Sequence, residues 1–227
     1  MSETTVSEAN NGSNSQPSNI SEVTIRLAGN SQDGIQSIGG FLARLAGRSE
    51  RDVMTMMTIP STISGGASIF QVRLGSGEVL SPGDKADVLF AFYQHSYDNH
   101  VKNLTKGGVL VYDSDHVEPC EEWLTEYRHI AIAISSLTVE AIGGTARDKG
   151  KNIYALGLIG RMFSLDTTKL ERLINERFGG KGESVVKTAM DAFQAGYRYY
   201  SDDISNLFRL ARGGAERSNQ VVMSGNE

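Results

Sequence analysis

The sequence predicts an α/β fold, a mostly parallel β-sheet flanked by helices, with a helical C-terminal portion. In the first half of the 227 residues, short β-branched and aromatic runs alternate with stretches of helical period, the order that arises when crossover helices join parallel strands. From Ser135 onward the apolar residues step by three and four and strands give way to helices. Residues 23–40 show the basic unit: a strand runs through a polar loop bracketed by Gly29 and Gly34 into an amphipathic helix.

Each element has its own signal. Residues 1–21 are dominated by Ser, Asn, Thr and Glu without apolar period, so they cannot repay the entropy of ordering and are expected to form a disordered tail. Val23, Ile25 and Leu27 alternate as in a buried strand, and Ile35, Ile38, Leu42 and Leu45 mark one helix face. Residues 52–58 read as a second strand and Ile69, Phe70, Val72 and Leu74 as a third, with Pro60 and the Gly65-Gly66 pair punctuating the loop between them. Residues 87–92 form a short buried strand, 93–104 a helix carrying His95 and His100, and 108–112 a strand running into Asp113 and Asp115.

The last core strand is expected at 130–134, after which Ser135 or Ser136 caps a helix through Ile142 and Gly143-Gly144 breaks it. The helix 153–163 places Gly157 and Gly160 on one face, where a neighbouring backbone can approach closely. Thr168 and Glu171 have capping-box spacing ahead of Leu170, Leu173, Ile174 and Phe178, and Gly179-Gly180 stops that helix. In the following helix Val186, Ala189, Phe193, Tyr197 and Tyr200 share a face, a docking surface rather than a platform for stacking bases.

Composition narrows the function. A chain of this length buries one substantial core, which fits one main domain with tails. A formal charge of -5 and a pI near 5.5 provide no basic field for nucleic acid. No apolar run approaches the ~20 residues that span a bilayer, and the first residues lack the basic and apolar regions of an export signal, so no membrane is expected and the cytoplasm is the default location. The single Cys120 excludes an internal disulfide and any cluster or zinc site built mainly on this chain's thiolates. His95, His100, His116 and Cys120 complete no metal-ligand spacing.

The candidate site is the loop 29–34. A helix opening from such a loop aims unpaired N–H groups and its positive dipole end at the space above the strand tips, which suits an anion. The dinucleotide fingerprint is absent: the glycine triplet is missing, positions 56–61 hold no acid, and Glu50 and Asp52 lie at the wrong end of the second strand. Glu118, Glu121 and Glu122 beside Trp123 read as a solvated helix start, and His129 as a satisfied edge histidine. Arg147, Lys149 and Lys151 form a small basic loop that either meets phosphates or faces water.

These residues carry a resemblance. The loop 29–34, its helix, and the run Ser64-Gly65-Gly66-Ala67-Ser68-Ile69-Phe70-Gln71-Val72-Arg73 resemble the gamma domain of the 2-oxoacid:ferredoxin (acceptor) oxidoreductases, whose corresponding segments read G-x-G-G-Q-G and V-R-G-G-x-S-x-x-x-V-R. The likeness extends through Asp166, Leu170, Phe178 and Tyr197 of the helical half, in the manner of subunits that fuse a gamma domain ahead of an alpha domain, and so implies a Rossmann-like fold. The 2-oxoglutarate type is the most similar. Residues 219–227 resemble the opening of the thiamine-pyrimidine domain that follows in such subunits. The implied organisation is a tail over 1–21, a gamma-type α/β domain over 22–212, and over 213–227 a linker with the start of a truncated domain.

The resemblance implies oxidative decarboxylation of a 2-oxoacid to its acyl-CoA. CoA is the co-substrate; thiamine diphosphate and iron–sulfur clusters belong to the pyrimidine-domain part of the alpha subunit and a beta subunit, with ferredoxin as electron acceptor and an isolated chain that is inactive. This domain then forms a wall of the CoA channel and subunit interfaces, with no catalytic residue and no metal ligand of its own. Gly29, Asn30, Ser31 and Gly34 in one loop, and Ser61, Thr62, Ser64, Gly65 and Gly66 in the other, are the implied contacts, both loops being expected at the carboxyl ends of adjacent parallel strands. The chain departs from the family pattern where Ser31, Gln32 and Asp33 replace Gly-Gly-Gln and Ser64 stands where Arg is common. Asp33 places a negative charge beside the phosphate position, which leaves packing against partner domains as a competing role for both loops. An independent nucleotide- or small-molecule-binding regulatory module is the alternative function.

Overall fold

The computed structural model describes residues 18–49, 51–58, 60, 65–144, 150–205, 207–211 and 223. The elements run β1 (Ser18–Ile20), β2 (Glu22–Asn30), α1 (Ile35–Gly47), β3 (Asp52–Thr58), β4 (Ala67–Gly75), β5 (Ala86–Ala91), α2 (Gln94–His100), β6 (Leu104–Asp113), α3 (Glu121–Leu124), β7 (Arg128–Ile132), α4 (Ile134–Ile142), α5 (Lys151–Met162), α6 (Thr167–Phe178), α7 (Glu183–Arg198) and β8 (Phe208–Leu210). Six strands form one sheet in the order β3-β4-β2-β5-β6-β7.

The α/β class agrees with the sequence, and the strand directions refine it. β2, β5, β6 and β7 are parallel neighbours, whereas β4 runs antiparallel to both β2 and β3. Residues 52–75 thus make an antiparallel hairpin: the two loop-bearing strands β2 and β3 run in the same direction, as expected, but they are not adjacent, because β4 lies between them. Alternation encodes which residues face the core but not the direction of the ladder.

Along β2, Val23, Ile25 and Leu27 face a thick helical layer, with Phe70, Val72 and Leu74 opposite them on β4. α5 is apolar nearly all round and lies buried in that layer, as such a helix must. Gly157 and Gly196 bring α5 and α7 into backbone contact: a Cβ on Gly157 would strike the Phe193 carbonyl, and one on Gly196 the Tyr154 carbonyl. The aromatic face of α7 is therefore docked within the chain, with Ala189 and Phe193 buried and Tyr200 exposed beyond the helix end.

The other sheet face carries a thinner layer of Ala28, Leu89, Tyr97, Val101, Leu110, Val117 and Tyr127. Arg26 is buried there, its Nε donating to Gln71 Oε1 at 2.7 Å and its NH2 group to the Asp84 carbonyl at 2.9 Å. These bonds offset the cost of desolvating the guanidinium, whose pKa burial lowers.

Several boundaries differ from expectation. Residues 18–20, assigned to the tail by composition, pair with β8 as a small parallel sheet; residues 1–17 lie outside the described residues, as do those of 213–227 apart from Met223. The helix after β5 ends at His100 and a tight 3-10 turn over Val101–Asn103 leads into β6. α6 is capped by Asp166, which accepts from the Lys169 N–H at 3.1 Å, rather than by Thr168. α4 begins at Ile134 and has no serine cap. Its first-turn N–H groups of Ser135 and Ser136 donate instead to Asp113 Oδ1 at 3.3 Å and Asp115 Oδ2 at 2.7 Å, both at the tip of β6.

Candidate functional site

The site forms where β2 and β5 end side by side and their connections diverge, β2 leading through α1 toward β3 and β5 through α2 toward β6. Such a switch point opens a crevice at the carboxyl ends of the strands. β2 passes through a 3-10 turn over Ser31–Asp33 to Gly34, whose φ of 71° is left-handed. A side chain there would be strained and would collide with Asn152. Gly29 is closely packed as well, since a Cβ would sit 2.9 Å from Ile35 Cδ1.

The second loop reaches the same place by a different route from the one expected. β4 starts where β2 ends, with Asn30 opposite Ala67, because the two strands are antiparallel. The Ser31 N–H then donates to the Gly66 carbonyl at 3.0 Å, and the left-handed Gly65 sits over Gln32. Gly29, Asn30, Ser31, Gly34, Gly65 and Gly66 are thus brought together. Ser61, Thr62 and Ser64 lie outside the described residues, as do Arg147 and Lys149.

Asp33 closes the crevice. Its Oδ2 accepts the Asn30 N–H at 3.0 Å and its Oδ1 accepts the Tyr93 hydroxyl at 3.0 Å. The carboxylate occupies an amide that an external anion would otherwise take. Tyr93, just past β5, stacks on His95 and His116 at 5.6 and 5.4 Å between ring centroids. Burial, with the adjacent Asp33 charge, raises its pKa well above the usual phenol range.

Lys151 lies behind this pair rather than in water. It is 6% exposed, and its Nζ stands 4.4 Å from the Tyr93 ring centroid, 3.3 Å from the Tyr93 hydroxyl and Ser135 Oγ, and 3.5 Å from Asp113 Oδ2. Asp113 is fully buried and also accepts the Ser135 hydroxyl at 2.6 Å. A continuous polar chain therefore joins the tips of β2, β5 and β6 to the starts of α4 and α5. With two carboxylates and one ammonium it carries net negative charge, so the loop is poorly suited to a phosphate and better suited to neutral hydrogen-bonding groups.

Sequence reasoning missed the roles of Tyr93 and Asp113, both strand-tip residues whose partners are distant in the chain. The spacing of Asn30 and Asp33, a local cap pattern, is the signal that points to an inward-turned carboxylate. Glu118, Glu121 and Glu122 are exposed around the start of α3. His129 lies on the edge strand β7 with Nδ1 3.0 Å from the Tyr127 carbonyl. Among the described residues no group of His, Cys, Asp and Glu has the arrangement of a metal site, and no helix is long and apolar enough to cross a membrane.

Known proteins share this architecture. The chain is 30% identical over 204 residues to the 2-oxoglutarate oxidoreductase subunit KorA of Mycobacterium tuberculosis, covering 79% of this chain and 31% of that protein. It is 28% identical to the ketoisovalerate oxidoreductase subunit VorA of Methanothermobacter thermautotrophicus, covering 81% and 37%. The chain thus spans about a third of the length of these relatives. Among solved structures it is similar to the 2-oxoglutarate:ferredoxin oxidoreductase of Magnetococcus marinus with 2-oxoglutarate, coenzyme A and succinyl-CoA bound, at a TM-score of 0.75 and 29% identity, over 86% of this chain and 34% of that one. It is similar over nearly all of the keto/oxoacid ferredoxin oxidoreductase gamma subunit of Geobacter sulfurreducens, at a TM-score of 0.61, 25% identity, and coverage of 78% and 94%. The family model for pyruvate ferredoxin/flavodoxin oxidoreductase matches residues 24–199. The chain belongs to that family, as a gamma-type domain of a 2-oxoacid:ferredoxin oxidoreductase.

Proposed function

We propose that this chain is the gamma-domain portion of an enzyme that oxidatively decarboxylates a 2-oxoacid to its acyl-CoA, with 2-oxoglutarate as the substrate. In this reading residues 22–212 are the gamma domain, and 213–227 lead toward a thiamine-pyrimidine domain. The loops 29–34 and 65–66 line one wall of the CoA passage. The partners are that pyrimidine domain, a beta subunit carrying thiamine diphosphate and iron–sulfur clusters, and ferredoxin as electron acceptor.

The observation that carries this reading is the seam between Ser31 and Gly66, which sets the two loops side by side at the β2 tip. The donor set there fits the pantetheine arm of CoA better than its phosphates. Asp33 has filled the Asn30 amide and the Tyr93 hydroxyl, while the glycine-rich backbone of both loops leaves room for the amides and methylenes of a narrow chain to pass. When bound on the partner domains, thiamine diphosphate supplies the carbanion chemistry. This chain's residues orient the thiol-bearing arm and help exclude water. The 2-oxoglutarate assignment follows KorA and the Magnetococcus marinus enzyme.

The test is co-production of the chain with polypeptides carrying the pyrimidine and diphosphate domains, followed by assay of CoA-dependent ferredoxin reduction with 2-oxoglutarate, pyruvate and branched-chain 2-oxoacids. The assembly turns over 2-oxoglutarate fastest and the isolated chain shows no turnover. Full turnover by the isolated chain, or an assembly indifferent to CoA, overturns the proposal.

A further inference from the structure

We propose that the outer edge of β3 is an interface that pairs with β3 of a second copy of this chain, antiparallel about a two-fold axis through Thr55. β3 is the edge of the six-stranded sheet, paired along all seven residues with β4 and, among the described residues, with no strand on its other side. An exposed edge is normally protected by charged side chains, a proline, a bulge or a covering element. From Val53 to Thr58 the strand contains none of these, and all seven residues pair with β4 without a register shift. The strand's one charge, Asp52, stands at its first residue and turns its Oδ2 inward to accept the Val79 N–H at 3.1 Å, so charge protects only that end of the edge.

The strand is complementary to itself in one register. Antiparallel pairing centred on Thr55 sets Val53 against Met57, Met54 against Met56, Thr55 against Thr55 and Asp52 against Thr58. All seven residues pair, and every apolar residue meets an apolar one. A shift of two residues either way leaves strand residues unpaired. The faces agree as well, because Val53, Thr55 and Met57 lie on the side of Leu74, Val72 and Phe70, and Met54 and Met56 on the other. Pro60, lacking an N–H, bounds the ladder beyond Thr58.

Side-chain exposure supports the same occupant. Met57 is 51% exposed beside a groove of about 350 Å³ lined by Gly40, Phe41, Arg44, Phe70 and Arg177. In the paired arrangement the second copy's Val53 covers Met57, so each protomer closes the other's groove. A two-fold axis makes the contact isologous and closed, which ends the growth that an open edge otherwise invites.

The experiment uses the 227-residue chain in sedimentation velocity with three samples: wild type, Thr55→Lys, and Thr55→Glu. Thr55 is exposed, so both variants fold, which circular dichroism checks. Wild type sediments as a dimer at micromolar concentration. Each variant alone sediments as a monomer, because like charges face each other across the axis. An equal mixture of the two regains the dimer, which happens only where position 55 meets itself. A monomeric wild type, variants that stay dimeric, or a mixture that remains monomeric overturns the proposal. Addition of a strand from another protein to a monomeric chain also overturns it.

Discussion

The Tyr93 hydroxyl donates to Asp33 at 3.0 Å across the gap between the ends of β5 and β2, so the crevice at the switch point is bridged by the chain's own side chains. The two residues act as a clasp. Replacing Tyr93 by Phe keeps the ring against Lys151 but leaves Asp33 Oδ1 without its donor, and costs about 1–2 kcal/mol in urea unfolding. A double-mutant cycle with Asp33→Asn gives a coupling of about 1 kcal/mol, as expected for directly bonded side chains.

Lys151 neutralises a carboxylate that has no access to water. Lys151→Met leaves Asp113 buried without its cation and lowers stability by about 3 kcal/mol. Asp113→Asn added to it recovers part of that loss, since the buried charge is then gone. Chemical denaturation of the two variants measures both effects.

Gly157 and Gly160 share a helix but not a constraint. Gly157→Ala drives a methyl into the Phe193 carbonyl and separates α5 from α7, costing about 3 kcal/mol. Gly160→Ala places its Cβ 3.4 Å from Tyr197 Cδ2, an ordinary contact, and gains up to about 1 kcal/mol in helix propensity. Thermal melts of the two variants shift in opposite directions.

His100 makes stability depend on pH in the acid range. Burial, with the neighbouring Arg26 and His95 charges, pushes its pKa down from 6.5 to about 4. Between those values the unfolded chain takes up the proton more readily than the folded one, so stability is lost as pH falls through that range and is fully present above it. The melting temperature of His100→Gln therefore falls less than that of wild type between pH 6.5 and pH 4.

Much of this molecule was legible in the sequence. The alternation of Val23, Ile25 and Leu27 and the step of Ile35, Ile38, Leu42 and Leu45 located β2 and α1, and 52–58 was read to the residue. Strand direction was not legible, because a period of two is identical in parallel and antiparallel ladders, and β4 turned out antiparallel. The site was half legible. Local spacing exposed the glycine loops, but Tyr93, Asp113 and Lys151 are linked over separations of 38 and 58 residues that no local pattern records. Capping failed for the same reason at α4, where a strand-tip carboxylate replaced the expected serine.

Hydrogen exchange of the assembled complex, with and without CoA, tests most directly whether the two loops line the CoA passage. CoA is expected to slow exchange of the backbone amides at 29–34 and 65–66 while leaving α7 unchanged. Unaltered exchange at both loops under saturating CoA, with protection confined to other domains, would contradict it.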